Sequence, residues 1–553
     1  MFTRSYFLIN MEKPIWLKEK GYLHLSPSLQ IGKDYKRIVQ IIQNPHFIST
    51  YAFYPLIHTN ISDRKYKKGN STKHTTDDRS HTHYDIKTKE PIRNAKVRPL
   101  HYASHFDSLV YSYYAYLLNQ KYIAKLEEEP LLNQAITAYR KILISKENSS
   151  GKSNIHFAKE CFDEIKHRAL DSEEVMVLAF DLKSFFSTLD HKYLKERWAW
   201  LINEPVLPKD HYNVFKSCTN FSYVLLDNLR LTKTKKGGKK RGFDESKLSD
   251  IRKKKGYRSF FYDNVDFRNH IKEGKLPVFK NHFYRELNNG KKVQMGIPQG
   301  LPISATLANL YLYEFDLTII NNIVKQQGGF YRRYSDDILI MCKPSQEKQI
   351  EESVLNLIKS YHIRISEEKT EKFLFKKVIF NKNKDTRLEC FKIKNIGDTN
   401  KLVPSHLTYL GFEFRGYNVC IKSPNLSKYY RKIVSTIKRR SKRTLRLLEE
   451  NSNIKTTLYL NQLKKVYNVP IKRPDTELQE LRTLKRKRYR LVKHIDGFFH
   501  FEHFEVKNKK QANYYSYILR CSSTFGTNSF KRQVRKRKHI AYTAITKHFT
   551  SNL

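Results

Sequence analysis

The chain has 553 residues, of which 39% are hydrophobic and 13% are aromatic. That apolar content is too high for wholesale disorder, and the length suits two or three domains with cores of their own. Its 104 lysines and arginines outnumber its 54 aspartates and glutamates, which gives a formal net charge of +50. Because such a charge repels itself unless polyanions neutralise it, we expect nucleic acid as a partner.

Other classes of protein are disfavoured. No apolar run approaches the roughly 18–20 residues that a membrane-spanning helix needs, so no membrane partner is expected. The six cysteines are scattered without a CxxC pair, which argues against a zinc ribbon and a disulfide framework. The first residues hold only a brief apolar patch and no small-residue cleavage site, so we expect a cytoplasmic protein.

The N-terminal part changes in composition along its length. Residues 1–98 are interpreted as an extension whose second part, 60–98, is a flexible polar loop. Apolar residues then recur at helical spacing in "HFDSLVYSYYAYLLNQKY" (105–122) and in "SNIHFAKECFDEIKHRAL" (153–170). Ser153 is a plausible N-cap for the second of these predicted helices.

The central part mixes strands, turns and helices. The run Val175–Phe180 predicts a buried strand that ends at Asp181. Residues 205–290 form a basic, irregular insertion. After the turn cluster "GIPQGLP" (296–302) an amphipathic helix is expected, followed by two apolar strands joined at Asp336 and Asp337. A further helix (345–362) and the strand segment "HLTYLGFEFRGY" (406–417) complete this body.

Basic segments stand out in two regions. The insertion carries "KTKKGGKKRG" (233–242), and three stretches after residue 425 (428–450, 481–495 and 530–540) interleave cations with apolar residues in patterns that we interpret as helical. Each of these basic stretches is either a face exposed to solvent or a surface that binds nucleic-acid phosphates. Three such stretches after residue 425, on so basic a chain, favour phosphate binding. The cations assigned to nucleic acid are Lys235, Lys236, Lys239, Lys240, Arg439, Arg440, Arg486, Arg488, Arg535 and Arg537.

Three carboxylates offer a site for chemistry. If the strand that ends at Asp181 lies beside the hairpin that carries Asp336 and Asp337, the three side chains converge. Carboxylate oxygens suit Mg²⁺, and two such ions can clamp the attacking and leaving oxygens of a phosphoryl transfer. Turns are rich in aspartate for other reasons, so the pattern is weak without its context.

That context is a family resemblance. "AFDLKSFFSTLDH" (179–191), "MGIPQGLPISATLANLYL" (295–312) and "RYSDDILI" (333–340) resemble three successive core motifs of reverse transcriptases. "ISEEKTEKF" (365–373) and "LTYLGFEF" (407–414) resemble the lysine motif and the primer-grip hairpin that follow. The resemblance implies an α+β right-hand polymerase, with fingers and an antiparallel palm in 99–424 and a basic helical thumb in 425–553.

The resemblance also implies a role for individual residues. Asp181, Asp336 and Asp337 would bind two Mg²⁺ ions, with Mn²⁺ as the alternative, and Leu182 is assigned to the metal and the nucleotide together. Phe186 would block a ribose 2′-hydroxyl, which favours deoxynucleotides. The remaining assignments are Gln299, Gly300 and Arg98 to the nucleotide, Lys369 to protonation of pyrophosphate, and Tyr409, Leu410 and Gly411 to the primer grip.

The branch of the family and the biological role are further expectations. "LHYASHFDSLVYSYYAYLL" (100–118) and "HYNVFKSCTNFSY" (211–223) resemble bacterial reverse transcriptases of the abortive-infection and unknown-group branch. This implies antiphage defence, a noncoding RNA template, nascent DNA and dNTPs, with a homo-oligomer or a partner protein left open. The C-terminal part is short for the helical-repeat domain of the abortive-infection members.

Three other functions are weighed against templated DNA synthesis. The same site could serve template-independent or protein-primed DNA synthesis. A scaffold that binds RNA and has an inactive polymerase site is the alternative from another class, and the retained acids argue against it. RNA-dependent RNA synthesis is a minor alternative, which the choice between dNTPs and rNTPs would decide.

Overall fold

The computed structural model mixes helices with mainly antiparallel sheets, which confirms the predicted α+β class. It describes residues 13–29, 31–32, 35–64, 95–145, 147, 150–171, 174–231, 242–287, 289–365, 370–380, 385–396, 399–450, 458, 460–468, 486–506 and 513–552. No helix within these residues is both long and apolar enough to cross a bilayer.

Helices and strands alternate along most of the chain. The helices are α1 (Tyr35–Ile42), α2 (Pro45–Thr50), α3 (His105–Glu127), α4 (Pro130–Ala135), α5 (Asn154–Asp171), α6 (His191–Leu201), α7 (Lys209–Thr219), α8 (Glu245–Lys255), α9 (Asn264–Lys272), α10 (Ser304–Tyr311), α11 (Tyr313–Ile319), α12 (Glu347–Ser360), α13 (Ser423–Glu450), α14 (Leu460–Tyr467), α15 (Tyr514–Phe525), α16 (Ser529–Gln533) and α17 (Arg537–His548). The strands are β1 (Leu56–Arg64), β2 (Ala95–Tyr102), β3 (Glu174–Lys183), β4 (Ser222–Leu225), β5 (Phe279–Lys280), β6 (Tyr284–Glu286), β7 (Lys292–Gln294), β8 (Phe330–Tyr334), β9 (Asp337–Cys342), β10 (Arg364–Ile365), β11 (Glu371–Ile379), β12 (Thr386–Ile396), β13 (Thr399–Pro404), β14 (Leu407–Tyr409), β15 (Phe412–Phe414), β16 (Val419–Ile421), β17 (Arg486–Lys493) and β18 (Phe499–Val506).

The central sheet lies in the region that the sequence predicts as the palm, and we call it the palm sheet. Its strands lie in the order β13-β12-β11-β3-β9-β8, all antiparallel, and β10 pairs with the end of β3. Met176, Leu178 and Phe180 on one face of β3 join a large core with α3, α6, α10 and α11. Val175 and Val177 on the other face join a second core with α5 and the C-terminal helices. Burial on both faces explains why this strand is an unbroken apolar run.

A second sheet, in the order β2-β1-β4-β5, joins strands of the N-terminal part to two strands of the insertion 205–290, and we call it the fingers sheet after the predicted domain. Residues 60–64 and 95–98, which the sequence assigns to the polar loop, belong instead to β1 and β2, because β1 is held on its other side by parallel pairing with β4. Strand β2 therefore crosses the domain boundary predicted at residue 98. The insertion 205–290 is not irregular, since α7, α8 and α9 lie in it and its apolar residues build a small core with Ile57.

The C-terminal part follows the prediction in one place and departs from it in another. Helix α13 is confirmed, and it buries a stripe of every fourth residue from Tyr429 to Ser441 against α17 and its neighbours. The basic stretch 481–495 was predicted to be helical, but its residues 486–493 form strand β17, paired in a hairpin with β18. The pattern of cations and apolar residues in this stretch fits the period of two of a strand as well as the period of a helix. Pairing with β18 selects the strand.

This hairpin packs on the fingers insertion. The Arg252 guanidinium of α8 lies 4.7 Å from the centre of the Phe501 ring of β18. Phe499 fills the space beside Gly256, where an added Cβ would lie 2.6 Å from the ring. The C-terminal region therefore contacts the fingers as well as the palm.

A buried ion pair joins the palm strand β8 to helix α11. Arg333 and Asp316 are both 0% exposed, and the guanidinium donates to both carboxylate oxygens, the closest at 2.6 Å. Tyr331 donates to the same carboxylate at 2.5 Å, and Arg333 also donates to the Asn309 side chain at 3.2 Å. Burial by itself lowers the pKa of Arg333, because it disfavours the charged form. The negative charge of Asp316 and its hydrogen bonds have a larger combined effect, so the pKa of Arg333 is raised. The pair therefore stays charged, with most of its hydrogen-bonding groups satisfied.

We predict that Asp316→Asn lowers the free energy of unfolding by about 3–5 kcal/mol, because it leaves the buried Arg333 cation without a counter-charge. Urea titration followed by fluorescence measures this loss, and hydrogen exchange of β8 and β9 locates it. Glu450→Gln is the matched control, since Glu450 and its partner Arg446 are 52% and 77% exposed. The control should change stability by less than about 0.5 kcal/mol. Equal stability of the two variants would contradict the assigned role of the ion pair.

Candidate active site

The three predicted acids lie at one end of the palm sheet. Strand β3 pairs directly with β9, so Asp181 stands opposite Asp337. Asp336 occupies the two-residue turn between β8 and β9, and its carbonyl accepts a hydrogen bond from the Leu182 amide at 3.1 Å. The adjacency of the two strands, on which the convergence of the acids depends, is confirmed.

The turn that carries Asp336 contains a residue in a strained backbone conformation and is held by a hydrogen bond from the core. Ser335, its first residue, has φ of 61°, a left-handed conformation that tight hairpin turns demand and that glycine adopts most easily. Arg333 donates to the Ser335 carbonyl at 3.2 Å, so the buried ion pair reaches the turn itself. The fold therefore fixes the backbone on which the acids stand.

A cavity of about 480 Å³ opens beside this turn. It brings together six of the residues that the sequence singles out, namely Arg98, Asp181, Leu182, Phe186, Gln299 and Asp336. They come from β2, β3, the turn after β3, the loop before α10 and the turn after β8. A larger cavity of about 770 Å³ lies between α5 and the outer edge of β8, and none of the predicted site residues is among its described lining.

Phe186 sits in a short 3-10 turn that follows β3. Its carbonyl accepts a hydrogen bond from Ile297 at 2.8 Å, and Gly296 donates to Leu189 at 2.7 Å. A Cβ at Gly296 would lie 2.6 Å from the Ser187 carbonyl, and its φ of 74° also favours glycine. This close backbone contact places the half-buried Phe186 ring in the wall of the cavity.

The loop with Gln299 and Gly300 docks against strand β2. His101 donates its amide to the Gln299 carbonyl at 2.9 Å, and a Cβ at Gly300 would lie 2.5 Å from the His101 carbonyl. Burial lowers the pKa of His101 to about 3, with His58 as a further cause, so this ring is neutral at pH 7. The close approach that only glycine allows keeps Gln299 beside the cavity.

The predicted primer grip forms a second tight turn. Leu410 and Gly411 join β14 to β15 and have φ of 47° and 92°, as two-residue hairpin turns with two left-handed residues require. Tyr409 is only 5% exposed and packs in the second core. Burial raises the pKa of its phenol, and Cys161 and Asp337 add to the rise. Of the three residues predicted for the primer grip, Tyr409 is therefore part of the core, and Leu410 and Gly411 are half-buried in the turn.

Several predicted residues cannot be placed at the site. Lys369, Lys235, Lys236, Lys239 and Lys240 lie outside the described residues, and for Arg486 and Arg488 only the backbone of β17 is described. Arg439 and Arg535 are exposed, and Arg440 is half-buried. Arg537 stacks 3.7 Å above the centre of the Tyr515 ring and donates to the Tyr467 carbonyl at 3.2 Å. Its guanidinium is thus engaged in packing the C-terminal helices.

The donor chemistry of the cavity fits a hard divalent cation that arrives with its substrate. Asp181 and Asp336 both line the cavity, and Asp337 faces Asp181 across the strands. In the part of the chain that is described, no three His, Cys, Asp or Glu side chains stand together as a complete metal site. Mg²⁺ is commonly held by one or two carboxylates, with waters and substrate phosphates as its other ligands. The residues present therefore fit Mg²⁺, and Mn²⁺ shares the preference for oxygen.

Sequence reasoning missed several residues of the site. Tyr139, Lys183 and Ser184 also line the cavity, and Ser184 has φ of 54°. Tyr139 belongs to "AYRK", but nothing in its local pattern points to the acids. Arg333 had a recognisable signal, because it is the charged neighbour of "YSDD" on a strand that otherwise reads as core.

Part of the chain is similar in sequence to a known protein family. Residues 257–414 match the sequence profile of the family described as reverse transcriptase (RNA-dependent DNA polymerase), and no curated protein matches the chain. Apo telomerase from Candida tropicalis, truncated from its C-terminal domain, is 12% identical, with a TM-score of 0.32 over 60% of this chain and 53% of that one. Telomerase from Candida albicans with the TWJ fragment of telomeric RNA is 12% identical, with a TM-score of 0.31 over 62% and 48%. The chain spans about half the length of these solved structures. The profile match covers Gln299, Asp336 and Asp337 but not Asp181 or Phe186.

Proposed function

We propose that this chain is an RNA-directed DNA polymerase that extends a primer on an RNA template. The observation that carries the proposal is the cavity that Asp181 and Asp336 share with Phe186 and Gln299. Two acids, an apolar ring and an amide are the groups that nucleotide addition needs at one place. The match of residues 257–414 to the reverse transcriptase family supports the same activity.

Several charged residues in and beside the cavity have separate tasks in this proposal. The primer 3′-oxygen bonds to the α-phosphorus of the dNTP while the bond from that phosphorus to the pyrophosphate oxygen breaks. Asp181 and Asp336, with Asp337 and Leu182 beside them, would hold the divalent cations. Two bound Mg²⁺ ions supply activation of the 3′-hydroxyl and neutralisation of the triphosphate charge. Arg98 and Lys183 add positive charge to the cavity wall, and Lys369 is proposed to protonate the pyrophosphate.

The same site is proposed to serve antiphage defence with a noncoding RNA template in the bacterial cytoplasm. Support for this role comes from the sequence stretches that resemble the abortive-infection branch. Protection of a bacterial host against phage should then disappear with DNA synthesis when Asp336 is replaced. Protection that survives this replacement would argue against a role for synthesis.

We predict that Asp336→Asn lowers dNTP incorporation at least about 100-fold, because a carboxylate that supports the transferring phosphates is lost. Protein purified with its bound RNA is incubated with labelled dNTPs and Mg²⁺, and every product is sequenced. Asp163→Asn is the matched control, since Asp163 lies on α5, pairs with Lys159 and Lys166, and is not among the described residues that line the cavity with Asp336.

Each product of this experiment decides between the functions weighed above. DNA complementary to the bound RNA, lost in Asp336→Asn and kept in Asp163→Asn, establishes templated reverse transcription. DNA without a template match moves the function to template-independent or protein-primed synthesis. Absence of product from the unaltered protein, together with tight RNA binding, would overturn the proposal in favour of an RNA-binding scaffold.

Phe186 should decide which sugar is accepted. Its ring offers no hydrogen bond to a ribose 2′-hydroxyl, and the contact with Ile297 fixes its position. We predict that Phe186→Ala raises rNTP use relative to dNTP use by about 10- to 100-fold, measured as the ratio of kcat/KM values. Phe279→Ala, at a partly exposed ring of the fingers sheet, is the control and should leave the ratio unchanged. An unchanged ratio in Phe186→Ala would contradict the assignment.

Helix α13 is proposed to contact nucleic-acid phosphates. Its exposed cations are Lys428, Arg431, Lys432, Lys438, Arg439, Lys442, Arg443 and Arg446. The acids of this helix are confined to its last two residues, Glu449 and Glu450. Most of the helix surface outside the buried stripe is therefore positive, as phosphate binding requires.

We predict that Arg439→Gln weakens RNA binding to a similar extent for all sequences. The slope of log K against log salt concentration should fall in magnitude by about 1, because one phosphate contact is lost. Lys348→Gln on α12 is the control, because this exposed lysine lies close in sequence to Glu347, Glu351 and Glu352. A slope for Arg439→Gln equal to that of the unaltered protein would exclude Arg439 from the interface.

A further inference from the structure

Two strained residues meet beside the catalytic turn. Tyr139 has φ of 63° and Ser335 has φ of 61°, and neither is a glycine. Their hydroxyl oxygens are 2.9 Å apart and share a hydrogen bond. Non-glycine residues occupy this left-handed region at a cost in free energy, and they persist only where the surroundings enforce it. Two of them joined by a hydrogen bond, next to Asp336, call for a functional explanation.

The segment that carries Tyr139 is fastened to the palm. Thr137 donates its amide at 3.1 Å and its hydroxyl at 3.0 Å to the Arg333 carbonyl. The Ala138 carbonyl accepts a hydrogen bond from the Asn309 side chain at 3.0 Å. Asn309 in turn accepts from Arg333, so the buried ion pair supports this segment as well as the turn. The position of Tyr139 relative to Ser335 is therefore set by the core beneath them.

Packing does not explain the choice of tyrosine at this position. The side chain of Tyr139 is 48% exposed, and it lines the cavity that also contains Asp181 and Asp336. Ser335, by contrast, is 4% exposed and is held on its carbonyl by Arg333. The bond to Tyr139 adds a second support, on the side chain, to the residue that immediately precedes Asp336.

We propose that Tyr139 is a positioning residue for Asp336. Its hydroxyl holds Ser335 in the left-handed conformation that directs the Asp336 carboxylate into the cavity. The inference rests on the proposed function for its kinetic consequences, but binding of a divalent cation to the acids can be measured without any synthesis.

The test uses variants that separate the hydrogen bond from the backbone conformation. Tyr139→Phe removes only the hydroxyl, and Ser335→Ala removes its partner while the left-handed strain remains. Ser335→Gly also lacks the hydroxyl but adopts positive φ without strain. Tyr116→Phe is the control, because the Tyr116 hydroxyl accepts from Gln120 on the surface of α3, remote from the acids in sequence.

Two measurements are made on the full chain. The first is single-nucleotide incorporation, resolved into kcat and the KM for dNTP. The second is Mn²⁺ affinity by electron paramagnetic resonance without nucleotide. We expect Tyr139→Phe and Ser335→Ala each to lower kcat by about 3- to 10-fold, the effect of one hydrogen bond, with KM nearly unchanged. Mn²⁺ affinity should fall in proportion, and the double variant should be no worse than either single one.

Rescue by glycine is the outcome that a merely structural bond would not produce. Ser335→Gly should keep kcat within about twofold of the unaltered protein, because glycine needs no support to adopt the left-handed conformation. Additive losses in the double variant, a rise in KM alone, or unchanged Mn²⁺ affinity in Tyr139→Phe would each overturn the proposal.

Failure of the proposed function gives a different result from failure of this inference. If the unaltered protein incorporates no nucleotide, DNA synthesis is excluded, and the Mn²⁺ affinities of Tyr139→Phe and Ser335→Gly alone decide whether Tyr139 positions Asp336. Absence of Mn²⁺ binding to the unaltered protein without nucleotide would overturn this inference, whereas nucleotide incorporation alone decides the proposed function.

Discussion

The hydrogen-bonded ion pair between Arg333 and Asp316 constrains the rest of the site. Both side chains are fully buried, and a buried charge without its partner is far more costly than the pair is stabilising. Strand β8, which leads to the acids, and helix α11, which carries Asp316, must therefore pack in one arrangement. Arg333 also donates hydrogen bonds to the Ser335 carbonyl and to the Asn309 side chain. Because Asn309 in turn donates to the Ala138 carbonyl, the ion pair holds both the turn and the segment around Tyr139. The ion pair therefore fixes the relative positions of these elements more than it adds to the free energy of unfolding.

Backbone strain is concentrated where the chemistry is proposed. Among the described non-glycine residues with positive φ are Tyr139, Ser184, Ser335 and Leu410, which lie around the cavity or in the turn predicted as the primer grip. Strained conformations survive when packing and hydrogen bonds over-determine them. Here the fully buried core under β8, the backbone contact between Phe186 and Ile297, and the tight hairpin of β14 and β15 meet that condition. The backbone around the acids and the adjoining cavity is thus held in place by the fold itself.

The cations of this chain have several different tasks, which net charge alone does not distinguish. Arg333 is buried as a counter-charge, Arg537 is stacked on Tyr515, Arg252 lies over Phe501, and Arg439 is exposed on α13. A list of arginines drawn from basic stretches therefore mixes structural residues with candidates for phosphate binding. The role of Arg252 depends on the contact of the β17–β18 hairpin with α8. That contact joins segments more than two hundred residues apart, so local sequence does not reveal it.

Residue pattern, together with the family resemblance, determined the class of the fold, the long helices α3, α5, α12 and α13 and the buried strand β3, and it singled out the candidate acids. These features follow from local periodicity and from short motifs whose chemistry is legible in the residues. Tertiary structure decided that residues 486–493 are a strand, that β1 and β2 extend into the polar segment, that Tyr409 is core and that Arg537 is engaged in packing. It alone brought Tyr139 to Ser335 and Asp316 to Arg333. The physical reason is that these outcomes depend on which distant segment supplies a hydrogen-bond or ion-pair partner, and local sequence patterns do not encode that choice.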